Sequence, residues 1–273
     1  MAKALRTYTC DTFEGNGLLL SPATSEEPWE LLCVERGTLT LHTAFYEATL
    51  GQGVFCIIPR GVSRYVTGEG SLRVIRFSPS IFSLLSERIE QDLQYMFELR
   101  ARSTPILVDA YHPLYDKIKE CFLTCYEELC CRDTFYDLRI SAHLSLIFAD
   151  LLSTYTGAYG EDEQPLYRNI LRLSPAIRYM ESHLSTHVSL GELAGEVPLA
   201  PDYFTKLFRE SMGETPIDYM QSLRVNRAMG ALAHSDESIP AIAKSLGISS
   251  SYLAELFRDS LGVTPTAYRK MSK

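Results

Sequence analysis

Residues 16–77 alternate short apolar runs with turn-forming residues. The runs are GLLL, LLCVERGTLTLHT, TLGQGVFCIIPRG and SLRVIRF, and glycine, proline or serine lies between them. Short apolar runs at this spacing are typical of strands that pair antiparallel. The sequence therefore predicts an antiparallel barrel or sandwich at about residues 10–78.

The apolar spacing changes from about Ile81 onward. Apolar side chains then recur at three- and four-residue steps, which predicts helices at about 80–100, 113–130 and 135–155. The stretch TGAYGEDEQPL lacks periodicity and is rich in glycine, acid and proline, which is typical of a linker.

The predicted fold class is α+β. The first domain would cover residues 1–155 and the linker residues 156–169, and a wholly helical domain would cover residues 170–273.

The helical part contains an internal repeat. Residues 189–219 match residues 238–268 at a constant offset of 49 without a gap, and eleven positions are identical. Each copy predicts a short helix that begins at Ser189 or Ser238, a turn, and a second helix that ends at a glycine. This is a helix-turn-helix unit, present twice.

The second helix of each copy has an apolar stripe and a polar face. The stripes are Phe204, Leu207 and Phe208 in copy one, and Leu253, Leu256 and Phe257 in copy two. The residues predicted to reach a DNA groove are Asp202, Thr205, Lys206 and Arg209, and in copy two Ser250, Ser251, Ala254, Glu255 and Arg258. A single polar stripe would indicate only a solvated surface, but repetition of the whole unit favours DNA recognition.

Thr215 and Pro216 predict the start of a helix that joins the copies and runs to about His234. At about 1.5 Å per residue this helix is roughly 28 Å long, so the two units would reach major-groove faces about 34 Å apart. Arg224 and Arg227 lie on it as candidates for phosphate contact, with an intramolecular ion pair as an equal alternative.

The stretches LAPDYFTKLFRESMGETPIDYMQSLRVNRA and IAKSLGISSSYLAELFRDSLGVTPTAYR resemble the double helix-turn-helix signature of the AraC/XylS family of bacterial transcription regulators. The resemblance covers residues 174–271 and implies sequence-specific binding to promoter DNA. It further implies a homodimer and activation of transcription as the commoner outcome, with RNA polymerase as a partner.

Three features depart from the family pattern. Glu255 stands where an arginine is usual, Pro198 replaces a small residue, and copy two is one residue shorter than is usual in the family between Gly247 and Tyr252. An acid can accept from cytosine but repels phosphate, so we expect copy two to bind weakly or to read an unusual base.

The segment ERGTLTLHTAFYEATLGQGVFCIIPRGVSRYV resembles the cupin-like barrel that serves many members of this family as an effector-sensing domain. Ser63 stands where a histidine often follows the loop, and His42 is isolated, so we expect no bound metal. The candidate effector wall is Leu32, Val34, Leu39, Leu41, Phe55 and Ile57, with Arg64 or Arg73 as an anchor for an anionic group. The same apolar residues could equally form an ordinary core.

The amino-acid composition and net charge exclude several classes of protein. The chain is 46% hydrophobic and 22% charged, as folded proteins are, and its net charge of −8 argues against indiscriminate binding to polyanions. Seven cysteines without a CxxC pair or an export signal predict reduced thiols. With no apolar run of about 18 residues, we expect a cytoplasmic protein.

The chain has no HxH, HExxH, GxSxG or Walker pattern, so we predict neither an enzyme nor a cofactor. Two alternatives stay open. One is a metal-free cupin-type protein or enzyme, and the other is an interaction module whose helical domain has lost operator binding. Glu255 and the acidic net charge motivate the second.

Overall fold

The computed structural model describes residues 8–16, 28–78, 94–99, 102, 104–158 and 164–272. Most of the helix predicted at 80–100 lies outside these residues, and its described part, Gln94–Leu99, is a single π-helical segment. None of the helices in the described ranges is long and apolar enough to cross a membrane.

The described N-terminal residues form one antiparallel sheet of six strands, in the hydrogen-bonded order β1-β5-β2-β4-β6 with β3 on β2. The strands are β1 (Tyr8–Asn16), β2 (Trp29–Thr43), β3 (Glu47–Gly51), β4 (Phe55–Ile58), β5 (Arg64–Phe77) and β6 (Ile106–Val108). On β2, a Cβ on Gly37 would lie 2.1 Å from the carbonyl oxygen of Glu69 on β5, so only glycine fits there. The antiparallel strands predicted from the apolar runs are confirmed.

Alternation along the strands divides the sheet into two apolar sides. Trp29, Leu31 and Phe77 face one side and pack with helical residues such as Phe122 and Phe148. The other side forms a separate cluster made by the strands themselves and the loop before β5, with Leu32, Val34, Leu41, Leu72 and Val74 at its centre.

The rest of the described chain is almost entirely helical. The nine helices of the described ranges are α1 (Tyr115–Cys131), α2 (Tyr136–Ala158), α3 (Gln164–Ser182), α4 (Leu190–Gly195), α5 (Pro201–Met212), α6 (Pro216–His234), α7 (Ile239–Ser245), α8 (Ser250–Leu261) and α9 (Pro265–Ser272). The helices predicted at 113–130 and 135–155 are confirmed as α1 and α2.

The linker predicted at 156–169 is shorter than its composition indicated. α2 continues to Ala158 and α3 begins at Gln164, so helices cover both ends of the predicted stretch, and residues 159–163 lie outside the described ranges. Pro165 falls in the first turn of α3, where a proline is compatible with a helix because no hydrogen-bond donor is needed there.

Candidate nucleic-acid interface

The first helix-turn-helix unit begins with a capping box. The Ser189 hydroxyl accepts a hydrogen bond from the Glu192 amide at 3.2 Å, and the Glu192 carboxylate accepts from the Ser189 amide at 2.7 Å. This pair starts α4, and after a turn α5 starts at Pro201. α5 ends at Gly213, whose φ of 82° places it in the left-handed region that favours glycine.

α5 has the two faces that the sequence predicts. Phe204, Leu207 and Phe208 are buried, whereas Asp202, Lys206 and Arg209 are exposed. The partly buried Thr205 donates its hydroxyl hydrogen to the Pro201 carbonyl at 2.9 Å.

The outer face of α5 borders an open depression of ≈ 500 Å³. Its lining is Asp202, Thr205, Lys206, Arg209, Glu210 and Thr215. The sequence analysis did not name Glu210, although a residue four positions after Lys206 is expected on the same face of the helix. The Lys206 ammonium lies 3.9 Å from the Glu210 carboxylate, but both side chains are largely exposed, so the attraction is weak and Lys206 stays available.

The second unit repeats this construction with a less basic face. α7 begins at Ser238, and α8 begins after Ser249, whose hydroxyl accepts from the Tyr252 amide at 3.1 Å. Ser250 is therefore the first residue of α8. The predicted residues Ser251, Glu255 and Arg258 are exposed, and Ser250 and Ala254 are partly buried.

Acidic residues outnumber basic ones on the outer side of α8. Asp259 is exposed beside Arg258, so Glu255, Arg258 and Asp259 together carry one net negative charge. A surface of that sign attracts phosphate less than α5 does. The structure therefore places the stronger candidate for DNA contact on α5.

Each unit is closed by an aromatic pair at equivalent positions. Phe208 of α5 packs edge-on against Tyr219 of α6, with ring centroids 5.4 Å apart. Phe257 of α8 packs against Tyr268 of α9 in the same way, at 5.9 Å. The repeat found in the sequence is thus a repeat of packing as well as of helices.

The joining helix α6 has the predicted bounds, and the Thr215 hydroxyl caps it by accepting from the Asp218 amide at 3.2 Å. Arg227 is exposed. Arg224 is only 8% exposed, and its guanidinium donates to the Leu184 and Thr186 carbonyls at 3.0 and 2.9 Å. Arg224 therefore braces the loop before α4, which corrects both its predicted phosphate contact and the alternative of an ion pair.

Glu214 is a titratable group next to α5 that the sequence did not single out. Its pKa is raised to about 7, chiefly by burial; a hydrogen bond from Ser222 opposes the rise, and the charge of the nearby Asp218 adds to it. The Ser222 hydroxyl donates to the Glu214 carboxyl at 3.2 Å. The charge at this turn therefore changes near neutral pH.

The loop between β4 and β5 docks on α6. The Asn226 side chain donates to the Gly61 carbonyl at 2.6 Å and accepts from the Ser63 amide at 2.7 Å, and the Ser63 hydroxyl donates to the Asn226 carbonyl at 3.0 Å. The Tyr65 hydroxyl donates to the Leu261 carbonyl, at the end of α8, at 2.7 Å. These bonds fix the helix between the two units against the sheet.

The predicted effector wall does not lie on one side of the sheet. Leu32, Val34, Leu39 and Leu41 belong to the strand-built cluster, whereas Phe55 and Ile57 face the helical side with Phe122. Strand alternation instead places Cys56 and Ile58 with the first four. This is a correction of the prediction for β4.

The two candidate anchors for an anion already have acidic partners. Arg64 is 3% exposed and forms a buried ion pair with Glu30, which also pairs with Arg76. The Arg73 guanidinium lies 2.6 Å from the Glu35 carboxylate and 4.7 Å from the centre of the Tyr126 ring. An anionic effector would have to compete with these carboxylates.

The His42 ring contacts side chains of the neighbouring strands β3 and β5. Its ring stacks on Tyr65 with centroids 4.4 Å apart and lies 2.9 Å from the Glu47 carboxylate and from the Thr67 hydroxyl. Across the described ranges, no group of three His, Cys, Asp or Glu side chains is placed to hold a metal ion.

Comparison with known proteins identifies the C-terminal helices. Residues 193–271 match the family model described as a helix-turn-helix domain. The chain is 40% identical over 76 residues to the regulatory protein PocR of Salmonella typhimurium, covering 28% of this chain and 25% of PocR. It is 31% identical over 84 residues to the MmsAB operon regulatory protein of Pseudomonas aeruginosa, covering 31% and 27%. These matches span about a quarter of each curated relative.

The likeness to solved structures extends over nearly the whole chain. The crystal structure of unsaturated fatty acid bound wild-type ToxT from Vibrio cholerae covers 99% of this chain and 98% of its own, with a TM-score of 0.56 and 13% identity. At that identity the likeness shows the fold. It confirms the predicted α+β class, and the matched helices confirm the AraC-type resemblance.

Proposed function

We propose that this chain, whose residues 193–271 match a helix-turn-helix family model, is a sequence-specific DNA-binding regulator of transcription of the AraC type. One observation carries the proposal. Two complete helix-turn-helix units each bury an apolar stripe of the second helix and turn its polar side to solvent. That polar side is what a major groove can accept.

The charges support different roles for the two units. α5 enters a major groove, where Asp202, Thr205 and Lys206 face base edges and Arg209 faces phosphate. α6 spans about 28 Å, so α8 reaches the same side of the duplex roughly one turn away. Arg227, which lies on α6 between the two units, contacts a phosphate. With one net negative charge on its outer side, α8 adds less affinity and more selectivity.

The N-terminal half senses a small molecule or holds two copies of the chain together. ToxT, which shares the fold, has been solved with an unsaturated fatty acid bound. By analogy, an apolar effector would enter the strand-built cluster around Leu32 and Leu41. A homodimer is supported by α1 and α2, where Leu123, Leu138 and Leu146 are 39%, 67% and 51% exposed. In the cytoplasm, such a dimer would activate promoters through contact with RNA polymerase.

The test is selection of bound duplexes from a random DNA pool by the full-length protein at a fixed, near-physiological salt concentration. We expect a two-part site whose halves are about one helical turn apart. The double variant K206A/R209A removes two candidate DNA contacts of about 1–3 kcal/mol each, so it weakens binding at least 10-fold. It also makes the salt dependence shallower, by about one power of salt concentration for each phosphate that the protein no longer neutralises.

The matched control is K119A/R36A, which removes one lysine and one arginine that are exposed on α1 and β2. It has the same net charge as the test variant and keeps α5 intact. Equal loss of binding in both variants would mean that α5 is not the DNA-reading helix. Failure of the wild-type protein to enrich any sequence would refute the proposal itself.

The acidic outer side of α8 favours one other function, an interaction module that has kept the fold and lost operator binding. It predicts no enrichment from the DNA pool and equal, weak binding of K206A/R209A and wild type. The same experiment therefore separates the two functions.

A further inference from the structure

Strand β1 packs against the last turns of α1. The Thr12 hydroxyl lies 2.5 Å from the Tyr126 hydroxyl. Cys10 is two residues before Thr12 and so lies on the same face of β1, about 6.7 Å away along the strand. Cys130 is four residues after Tyr126, one turn or about 6 Å further along α1. The strand and the helix therefore bring Cys10 opposite Cys130.

The two thiols interact directly. The pKa of Cys10 is raised to about 11; burial is the largest cause, and Cys130 is the next, by charge interaction and by a hydrogen bond between the side chains. Asp11 raises the same pKa, and the positive charge of Arg132 lowers it. Tyr8, the next residue on this face, hydrogen-bonds Ser141 of α2, so the first part of β1 lies against the helices.

The pair differs in access to solvent. Cys130 is exposed, whereas Cys10 is only partly so. An oxidant in solution would therefore meet Cys130 first, and Cys10 would be the neighbouring thiol that reacts second. The end of α1 is held in place by the Arg132 amide, which donates to the Glu128 carbonyl at 2.8 Å.

We propose that Cys10 and Cys130 form a reversible disulfide when the protein meets hydrogen peroxide, tying β1 to the end of α1. The Cys130 thiolate attacks the peroxide, the O–O bond breaks, and sulfenic acid and water form with one proton taken up. The Cys10 sulfur then attacks the sulfenic sulfur, the S–S bond forms and the S–O bond breaks, and the departing hydroxide takes the proton of the Cys10 thiol to leave as a second water. One peroxide is reduced and two thiols are oxidised.

Cys131 provides a natural control. It is exposed like its neighbour, but it lies about 100° further round the helix and so points away from β1. A bond between Cys130 and Cys131 is unfavourable because adjacent Cα atoms are about 3.8 Å apart, less than the 4.4–6.8 Å that disulfides usually need.

The proposal does not depend on DNA binding, since β1 and α1 belong to the N-terminal half. A Cys10–Cys130 bond closes a loop of most of that half, so it restricts the unfolded chain. The oxidised protein should therefore melt several degrees higher than the reduced protein. Reduction with dithiothreitol should restore the lower midpoint.

The experiment treats reduced full-length protein with increasing equivalents of hydrogen peroxide, blocks the remaining thiols by alkylation, and counts them by mass spectrometry. We expect wild type and C131S to lose two alkylatable thiols together, with tandem spectra joining Cys10 to Cys130. C10S and C130S should not form this cross-link, and neither should show the rise in melting temperature. Under reducing conditions all four proteins should melt within a few degrees of each other, which controls for folding.

Three results would overturn the proposal. The first is a disulfide that still forms with its rise in melting temperature in C130S. The second is oxidation of Cys130 to sulfinic or sulfonic acid without loss of the Cys10 thiol. The third is a disulfide between two chains, seen as a dimer on a non-reducing gel.

Discussion

Replacing Asn226 with alanine removes the side chain that holds α6 against the loop before β5. Asn226 donates to the Gly61 carbonyl and accepts from the Ser63 amide, at 2.6 and 2.7 Å. Ser63 is 1% exposed, so water cannot replace the missing partner of its amide without rearrangement. The substitution therefore weakens the attachment of the helix-turn-helix units to the sheet while leaving both halves intact.

The expected loss follows from the two bonds. Each contributes about 0.5–1.5 kcal/mol net, and a buried amide left without a partner costs about 1–3 kcal/mol. We therefore expect N226A to lose about 2–4 kcal/mol of coupling between the halves. R227A changes the next residue, whose side chain is exposed, so we expect it to match the wild-type protein.

Two signals report the two halves separately in urea unfolding. Trp29 is the only tryptophan of the chain, and it is 2% exposed in the sheet, with its ring centre 5.3 Å from that of Phe148. Its fluorescence follows the N-terminal half, whereas circular dichroism at 222 nm follows the helices, most of which lie after residue 164. We expect coincident transitions in the wild type and in R227A, and an earlier helical transition in N226A.

Coincident N226A transitions at the wild-type midpoint would refute the reasoning. They would mean that other contacts hold the halves together without help from Asn226, namely those of Tyr65, of Arg102 and of Phe45, whose ring centroid lies 5.9 Å from that of Tyr219. Arg102 donates to Tyr219 at 3.5 Å and pairs with Glu181, so this second attachment is real. We predict that this second attachment alone does not keep the two unfolding transitions coincident in N226A.

Three other substitutions test the charged groups. The pKa of Glu214 is raised to about 7 in the folded protein, so this carboxyl costs stability as pH rises through 4.5–7. After allowance for its partial exposure, E214Q should gain about 1–2 kcal/mol at pH 8 and almost nothing at pH 4.5, by urea midpoints. R224A should lose about 2–4 kcal/mol of unfolding free energy because it leaves the Leu184 and Thr186 carbonyls without donors. If R224A instead changes only the salt dependence of DNA binding, Arg224 contacts phosphate and does not brace the loop. E255Q should raise DNA affinity several-fold at low salt and little at high salt, with the exposed E237Q as the control in fluorescence anisotropy.

The elements that sequence reasoning located well are those set by local chemistry. Ser189 and Ser238 start helices, and Gly213 and Gly262 end them, because capping depends on residues within one turn. The double unit was visible because a whole supersecondary pattern recurs at one offset. The contact of Ser63 with Asn226 was invisible, because 163 residues separate them and no periodicity connects them.

The error on β4 has a physical cause as well. Phe55, Cys56, Ile57 and Ile58 are all apolar and all buried, so the strand has no polar side to mark its orientation. Only its pairing shows which side chains face the helices. The Cys56 side faces the strand-built cluster, and the Phe55 side meets α1.

Arg209 and Arg224 show when the helical pattern of apolar and polar residues stops predicting the role of a side chain. α5 contacts the protein along one side, so its buried and exposed residues separate cleanly and Arg209 was correctly placed on the outside. α6 is enclosed by both helix-turn-helix units and by the sheet, and Leu223, Arg224 and Val225 are buried in succession. On a helix buried around most of its circumference, position cannot tell a phosphate contact from a structural brace. Only the carbonyl oxygens that surround Arg224 decide between these roles, and they come from a loop 40 residues away.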